Sequence, residues 1–443
     1  MTRIAFIGAG STVFMRSIVG DALQRAPLAD AAIALMDVDA RRLAQSEGVA
    51  RGLAAATGGR ARVEAHGALG PALDGADFVV VAFQIGGYDP ATITDFEVPR
   101  RHGLRQTIGD TLGVGGIMRG LRTVPHLWAL AAEMERRCPG ALLLQYVNPM
   151  AINTWALAAR HPDVRQVGLC HSVQGTAAEL ARDLGLTPGE VRYRAGGINH
   201  MSFFLELAGP GGDLYPALRA GYRSGRLPAH TGANARCHNR VRYEVMEHLG
   251  YFVTESSEHF AEYVPWFIKS HRPDLIKAFG IPLDEYPRRC VEQAAEWEAN
   301  AGAILAAPPA HSLEYAAAIM EAEAGGAPAL AYGNVPNHGL IPQLPDGCAV
   351  EVPCRFGADG MRPEPVTGIP PQLIALMRTN VNVQELTVRA LLDEDRDHVY
   401  HAAMMDPRTA AELDLRQIRA LVDELIAAHG ELMPEWLRGR RAA

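Results

Sequence analysis

The sequence predicts an α/β fold, in which a doubly wound parallel sheet is joined to a C-terminal region of mixed helices and strands. Three observations carry that expectation. Uninterrupted apolar runs of strand length recur through the first part of the chain, stretches with helical periodicity separate them, and the first run breaks into the glycines of GAGST. A strand that is apolar at every position has no face for water, and alternating helices are what cover a parallel sheet on both sides.

Taken in order, RIAFI (Arg3 to Ile7) reads as a buried strand, and STVFMRSIVGDALQRA after it has helical periodicity. AAIALMDVD follows as a second strand that ends in Asp37 and Asp39. Strand, helix and strand of this length make a right-handed crossover between parallel strands. ADFVVVAF (Ala76 to Phe83), ALLLQYVNP (Ala141 to Pro149) and VRQVGLC (Val164 to Cys170) continue the series. Past about residue 190 the alternation decays. There GINHMSFFLELAG reads as the entry to one strand, and GPGGD (Gly209 to Asp213) as a hairpin or surface loop. The expected domains are therefore 1–195 and 196–443.

A chain of 443 residues exceeds one ordinary core. With 48% hydrophobic and 21% charged residues it belongs with globular rather than disordered chains. A net charge of −8 without a block of Lys and Arg argues against a nucleic-acid partner. No run approaches the roughly 20 apolar residues of a membrane span, and MTRIAFIGAG lacks the layout of a signal peptide. The six cysteines (Cys138, Cys170, Cys237, Cys290, Cys348 and Cys354) have neither disulfide-framework nor zinc-knuckle spacing, so reduced thiols in a cytoplasmic protein are expected.

Gly8-Ala9-Gly10 follows a strand and opens a helix, the setting a dinucleotide loop needs. Gly8 permits the tight turn, Gly10 lets a pyrophosphate approach the backbone, and the helix start supplies free N–H groups. Ser11 and Thr12 add hydroxyls there, and Asp37 ends the second strand, where a carboxylate binds ribose hydroxyls and repels a 2′-phosphate. This favours NAD over NADP. Val13 stands where a third glycine is usual, so helix and strand are expected to sit further apart; the plainer alternative is an ordinary strand-to-helix turn.

Cys170 ends a strand and precedes a helix for which Thr176 is the expected N-cap. Ligands of open α/β sheets collect at the carboxyl ends of strands, and a helix start lowers a thiol pKa. His200 in GGINHM follows a glycine turn and is placed to meet Cys170. Singly, a buried cysteine is more often a small hydrophobe, and a histidine more often a satisfied side chain. Only together, beside a nicotinamide cleft, do they suggest a metal site with positions open for substrate. Asn148, held extended before Pro149, is a further candidate to face cofactor or sugar, the alternative being a simple turn.

GAGST, FQIGGY, TLGVGGIMR, NPM, CHSVQGT, GINHM, GYFVTESSEHFAEYVPWF, GNVPNHGLIPQLPDGCAVEVPC and YHAAMMDP together resemble glycoside hydrolase family 4, and within it the bacterial α-galactosidases, from about residue 3 to about residue 437. The resemblance implies a Rossmann-like domain joined to a C-terminal α+β domain, NAD and a divalent metal, usually manganese, and a homodimer or homotetramer. It makes Cys170 and His200 the metal ligands and Asn148 a substrate contact near the nicotinamide. His171, after the metal cysteine, becomes the proton donor to the leaving oxygen and implies an unphosphorylated sugar. The general base falls within 255–263, where Ser257, Glu258 and Tyr263 are candidates and Glu258 is chosen, against the alternative of a solvated acid. Cysteine is soft and manganese prefers oxygen donors, so manganese follows from the resemblance alone.

The implied reaction is cleavage of terminal α-galactosides such as melibiose by oxidation at carbon 3, proton loss at carbon 2, departure of the glycosidic oxygen, addition of water, and return of the hydride. Such family members are exceptions to two-carboxylate hydrolysis. The rivals are an α-galacturonidase or α-glucosidase of the same family, a NAD-dependent hydroxy-acid dehydrogenase, and a catalytically inactive NAD-sensing module.

Overall fold

The computed structural model describes residues 1–228, 239–306, 312 and 314–439. Among these residues twelve strands form one sheet, in the order β3-β2-β1-β4-β5-β6-β10-β11-β7-β8-β9, with β12 beside β11. They are β1 (Arg3–Ile7), β2 (Ala32–Met36), β3 (Arg62–His66), β4 (Phe78–Val81), β5 (Leu142–Gln145), β6 (Gln166–Leu169), β7 (Arg192–Ile198), β8 (Met201–Gly209), β9 (Gly212–Asp213), β10 (Ala329–Pro336), β11 (Ala349–Gly357) and β12 (Gly360–Pro363). The first six are parallel, in the order of a dinucleotide-binding doubly wound sheet. From β10 onward pairing is antiparallel.

The two faces of the parallel half explain its apolar runs. In β1, Ile4 and Phe6 join one buried cluster with Ile18, Leu23 and Leu53 of two covering helices, while Ala5 and Ile7 join another with Leu127, Leu130 and Met134. β4 alternates the same way, Phe78 and Val80 against Val79 and Val81. Each large apolar side chain so buried contributes about 1.5–3 kcal/mol. β3, by contrast, goes unseen in the sequence because it is the sheet edge: in RVEAH only Val63 is buried.

The sheet runs on past residue 195. β10 joins β6 through Gly333 opposite Leu169 and Asn334 opposite Gly168, so both halves of the chain share one backbone platform. A separate helical layer, built from helices at Gly113–Arg137, Pro371–Asp393, Arg396–Met405 and Leu415–His429, has its own buried cluster. A buried ion pair between Arg122 and Asp95, with His429 Nε2 at 2.9 Å from Asp95, fastens that layer to the loop at Ile85, whose carbonyl accepts from Arg122.

Three local expectations change. GINHMSFFLELAG does enter a strand, β8 from Met201, but only after a hairpin turn not expected from the sequence: Ile198 pairs with Met201, leaving Asn199 and His200 at the tip. Thr176 is not an N-cap, because the helix begins at Ser172 directly after the strand, with His171 at the cap position. Thr176 then lies inside it, its hydroxyl donating to the carbonyl of Thr254. Val13 does not wedge helix from strand, since its side chain is exposed. The hairpin at Gly209 to Asp213 forms as expected.

Candidate functional site

The carboxyl ends of the parallel strands carry the loops that matter. Gly8 turns with φ +86°, and a Cβ there would lie 2.3 Å from the carbonyl oxygen of Ala82 at the end of β4. Only glycine fits both the angle and the space. The amides of Gly8 and Ala9 donate to Met36 O. Asp37, one residue beyond β2, accepts from Gly10 N at 2.7 Å through one oxygen and from Asp39 N at 2.9 Å through the other. The acid expected to face a ribose is thus anchored at the rim of the glycine loop. Ser11 caps the helix position without a side-chain bond, and Thr12 is buried, its hydroxyl 2.9 Å from Ser46 Oγ on the next helix. Thr12 therefore ties the helix start to the next helix, and its hydroxyl also lies 3.5 Å from the carbonyl of Gly10 in the loop.

Cys170 sits one residue past β6, and His200 tips the β7–β8 hairpin with φ +62°. A left-handed backbone is strained for histidine, and here it delivers a 4% exposed imidazole to the thiol: Nε2 lies 3.5 Å from Cys170 Sγ and 3.2 Å from Glu255 Oε2. One donor atom from each of Cys170, His200 and Glu255 lies within 4.8 Å of the others. On its other side His200 Nδ1 stands 3.0 Å from Tyr263 Oη and 3.1 Å from Thr111 Oγ1.

A polar shell closes around this trio. Glu255 Oε1 is 3.4 Å from His259 Nδ1, while His259 Nε2 is 3.8 Å from Asp110. Asp110 accepts from Asn148 Nδ2 at 3.0 Å and from the Thr111 hydroxyl at 2.7 Å. Buried Arg119 donates to the carbonyl of Asn148 and lies against the ring of Tyr286, whose hydroxyl donates to Gln84. His171 is different: its side chain is 64% exposed, with Nδ1 3.7 Å from Glu314. Glu258 turns elsewhere. Its Oε1 accepts from Arg289 at 2.7 Å, and it does not join the donor trio.

Electrostatics mark the trio as a place for a cation. Burial, then the charges of Glu255 and Glu351, push the Cys170 thiol well above its ordinary range. Burial also lowers His200. Glu255 is raised by burial, but His200 and His259 outweigh that and bring it down to about 2. A soft sulfur, an imidazole and an ionised carboxylate converging in a buried spot are a metal-ligand set, and a divalent ion would convert the thiol to the thiolate. A recess of about 860 Å³ lined by Asp77, Gly140, Arg165 and Asp359 opens at the amino ends of β4 to β6 instead. The cluster of Cys170, His200 and Glu255 lies at the opposite ends, where sheets of this kind bind ligands.

Known proteins resemble this chain over nearly its whole length. The description "Family 4 glycosyl hydrolase" fits residues 3–186, and "Family 4 glycosyl hydrolase C-terminal domain" fits residues 195–409. The chain belongs to glycoside hydrolase family 4. It is 43% identical to an alpha-galactosidase of Bacillus subtilis over 98% of this chain and all of that one. It is 31% identical to an alpha-galactosidase of Rhizobium meliloti over all of this chain and 91% of that one. The crystal structure of a 6-phospho-alpha-glucosidase from gut microorganisms, in complex with NAD and Mn2+, superposes with a TM-score of 0.77 at 20% identity, covering 98% of this chain and 99% of that one. That likeness establishes the Rossmann-like fold with its α+β extension.

Of the residues singled out in the sequence, the family 4 fold brings Cys170, His200 and Asn148 into one network through Thr111 and Asp110. It holds Gly8, Gly10 and Asp37 together at the next strand ends. Glu255, His259, Asp110 and Arg119 were missed. The signal for two of them was present in TESSEH, where an acid just before a helix and a histidine in its first turn stand four residues apart.

Proposed function

We propose that this family 4 enzyme is a NAD- and divalent-metal-dependent α-galactosidase that cleaves terminal α-galactosides such as melibiose. The carrying observation is the convergence of Cys170, His200 and Glu255 within 4.8 Å at the strand ends that also hold the glycine loop. Its identity to two alpha-galactosidases supports the sugar class. Gly8, Gly10, Ser11, Thr12 and Asp37 form the loop that would hold NAD, and Cys170 and His200, with Glu255 as third donor, would hold the metal, for which manganese is the choice. When bound, the pair supplies reversible oxidation of the sugar at carbon 3 and electrophilic stabilisation beside it.

The chain's own residues do the rest. Asn148, fixed by Asp110 and Arg119, orients a sugar hydroxyl at the cleft. His171, open to solvent with Glu314 behind it, gives a proton to the departing glycosidic oxygen. The carbon-2 proton needs an acceptor beside the metal ligands. Glu258 is occupied by Arg289, whereas Glu255 faces the cluster with two oxygens, Oε2 toward His200 as a metal donor and Oε1 toward His259, so in place of Glu258 the base is proposed to be this second oxygen of Glu255. The enzyme is proposed to act in the cytoplasm as a homodimer or homotetramer, with no nucleic-acid or membrane partner. The five cysteines among the described residues are free, and Cys237 lies outside them; no described helix is long and apolar enough to cross a membrane.

The test is hydrolysis of an aryl α-galactoside with NAD and Mn2+ supplied singly and together, with and without chelator. Activity is expected only with both, without net accumulation of NADH. Full activity after removal of both overturns the proposal, and stoichiometric NADH identifies a dehydrogenase.

A further inference from the structure

Glu351 is fully buried on β11 and takes no part in the reaction outlined above. Its two oxygens face two different strands. Ser202 Oγ, two residues after His200, donates to Oε2 at 2.6 Å. Asn334 Nδ2, on β10, donates to Oε1 at 3.3 Å and also to the carbonyl of Gly168 at 3.3 Å, two residues before Cys170. The backbone of Glu351 lies opposite Gly197 in the strand leading to His200. The same side chain is therefore bonded toward the segment that carries the thiol and toward the hairpin that carries the imidazole.

We infer that Glu351 is a positioning residue that sets the Cys170–His200 separation, and hence the affinity of the cation site, through its bridge to Ser202 and Asn334. The inference rests on the assignment of Cys170 and His200 as metal ligands. His200 is held in a left-handed conformation that a loose turn would relax. Tyr263 and Thr111 hold its ring and Ser202 also bonds the carbonyl of Ile198 across the turn, but the Glu351 side chain also ties the hairpin to the strand that leads to Cys170. A buried carboxyl bonded across strands resists that relaxation, as outer partners of metal ligands do. Burial raises Glu351 to about 7, despite the lowering effect of Ser202 and Asn334. A proton therefore resides on it through much of the working range, which is what allows such a group to remain inside the sheet beside Glu255.

The experiment is calorimetric titration of the full chain with Mn2+ alone, and separately with NAD, for wild type, E351Q, E351A, S202A and H200A. A carboxamide keeps an oxygen for Asn334 and an N–H for Ser202, so E351Q should bind Mn2+ within about threefold of wild type, whereas E351A should weaken it by about 10- to 100-fold. NAD affinity should stay within about twofold in both, since the glycine loop is untouched. S202A cuts one arm of the bridge and should weaken Mn2+ several-fold with NAD unchanged; it decides the question if E351A does not fold. Wild-type Mn2+ affinity in E351A or S202A, an equal fall for Mn2+ and NAD, or an E351Q as weak as E351A overturns the inference. H200A separates the levels. If it keeps wild-type Mn2+ affinity, the ligand assignment fails and this inference with it; if it loses Mn2+ while E351A does not, only this inference fails.

Discussion

Cys170 Sγ and His200 Nε2 stand 3.5 Å apart although 30 residues separate them in sequence. The contact joins the end of a parallel strand to the tip of an antiparallel hairpin, and a bound cation would replace a weak S–H···N contact with two ligand bonds. Because burial and two nearby acids keep the Cys170 thiol protonated, loading must release its proton. Mn2+ affinity should therefore rise with pH, by up to about tenfold per unit, between pH 6 and 8. C170A and H200A should each lose at least about 100-fold in Mn2+ affinity, more than an outer partner of a ligand costs. Calorimetry checks both, and an affinity flat with pH would exclude a protonated thiol.

Glu351 gives a stability signature with a definite sign. Its folded pKa of about 7 lies above the ordinary 4.5, so the folded chain binds this proton more tightly than the unfolded one. The associated stability is complete below pH 4.5 and is lost as pH rises through about 7. Over that window the loss is at most about 3 kcal/mol. In metal-free protein, the melting temperature of E351Q relative to wild type should therefore climb from pH 5 to pH 8, with a constant difference contradicting the raised pKa.

Gly8 tolerates no side chain. Alanine there meets a positive φ and a backbone oxygen at 2.3 Å that no rotamer moves. G8A should lower stability by about 1–3 kcal/mol and abolish NAD binding while leaving Mn2+ affinity near wild type. Thermal melts and the two titrations separate these effects.

Asp37 is anchored by Gly10 N and Asp39 N, so its carboxylate is preset for a ribose. Charged hydrogen bonds of this kind are worth about 1.5–3 kcal/mol, and D37A should weaken NAD by about 10- to 100-fold. NADP should lose less, or gain, because the repulsion of its phosphate is gone. Equal losses for both cofactors would place Asp37 in the loop scaffold alone.

The parallel half of the fold was legible because burial on both faces forces unbroken apolar runs, as in β4 and β5. β3 was not, since an edge strand needs only Val63 inside. Cys170 and His200 could be paired from residue type and strand-end position. Their partners could not, because Asp110 reaches the site through a loop held by Glu262: its carboxylate accepts from the backbone of Thr107, Ile108 and Gly109 across more than 150 residues, which no local periodicity encodes. The choice of Glu258 from among Ser257, Glu258 and Tyr263, with Glu255 left out, shows the same limit. Glu255 and Glu258 are acids three residues apart, and only the helix beginning at Ser257 decides which faces His200 and which faces Arg289.

That choice is open to a direct test. Removing a base that acts at carbon 2 abolishes exchange of that hydrogen with solvent, whereas breaking a structural ion pair does not. E258Q leaves Arg289 with Glu285, to which it is also paired, so the helix 257–262 should hold and activity should fall by less than about tenfold. E255Q removes the charge facing His200 and His259 and should cut turnover by about 10²–10⁴-fold. Because Glu255 is also a proposed metal donor, its Mn2+ affinity must be measured, and turnover compared at saturating metal. Deuterium at carbon 2 of the substrate sharpens the outcome: wild type and E258Q should wash it out into water during turnover, and E255Q should retain it. Washout lost in E258Q and kept in E255Q would return the base to Glu258 and leave Glu255 as a metal ligand only.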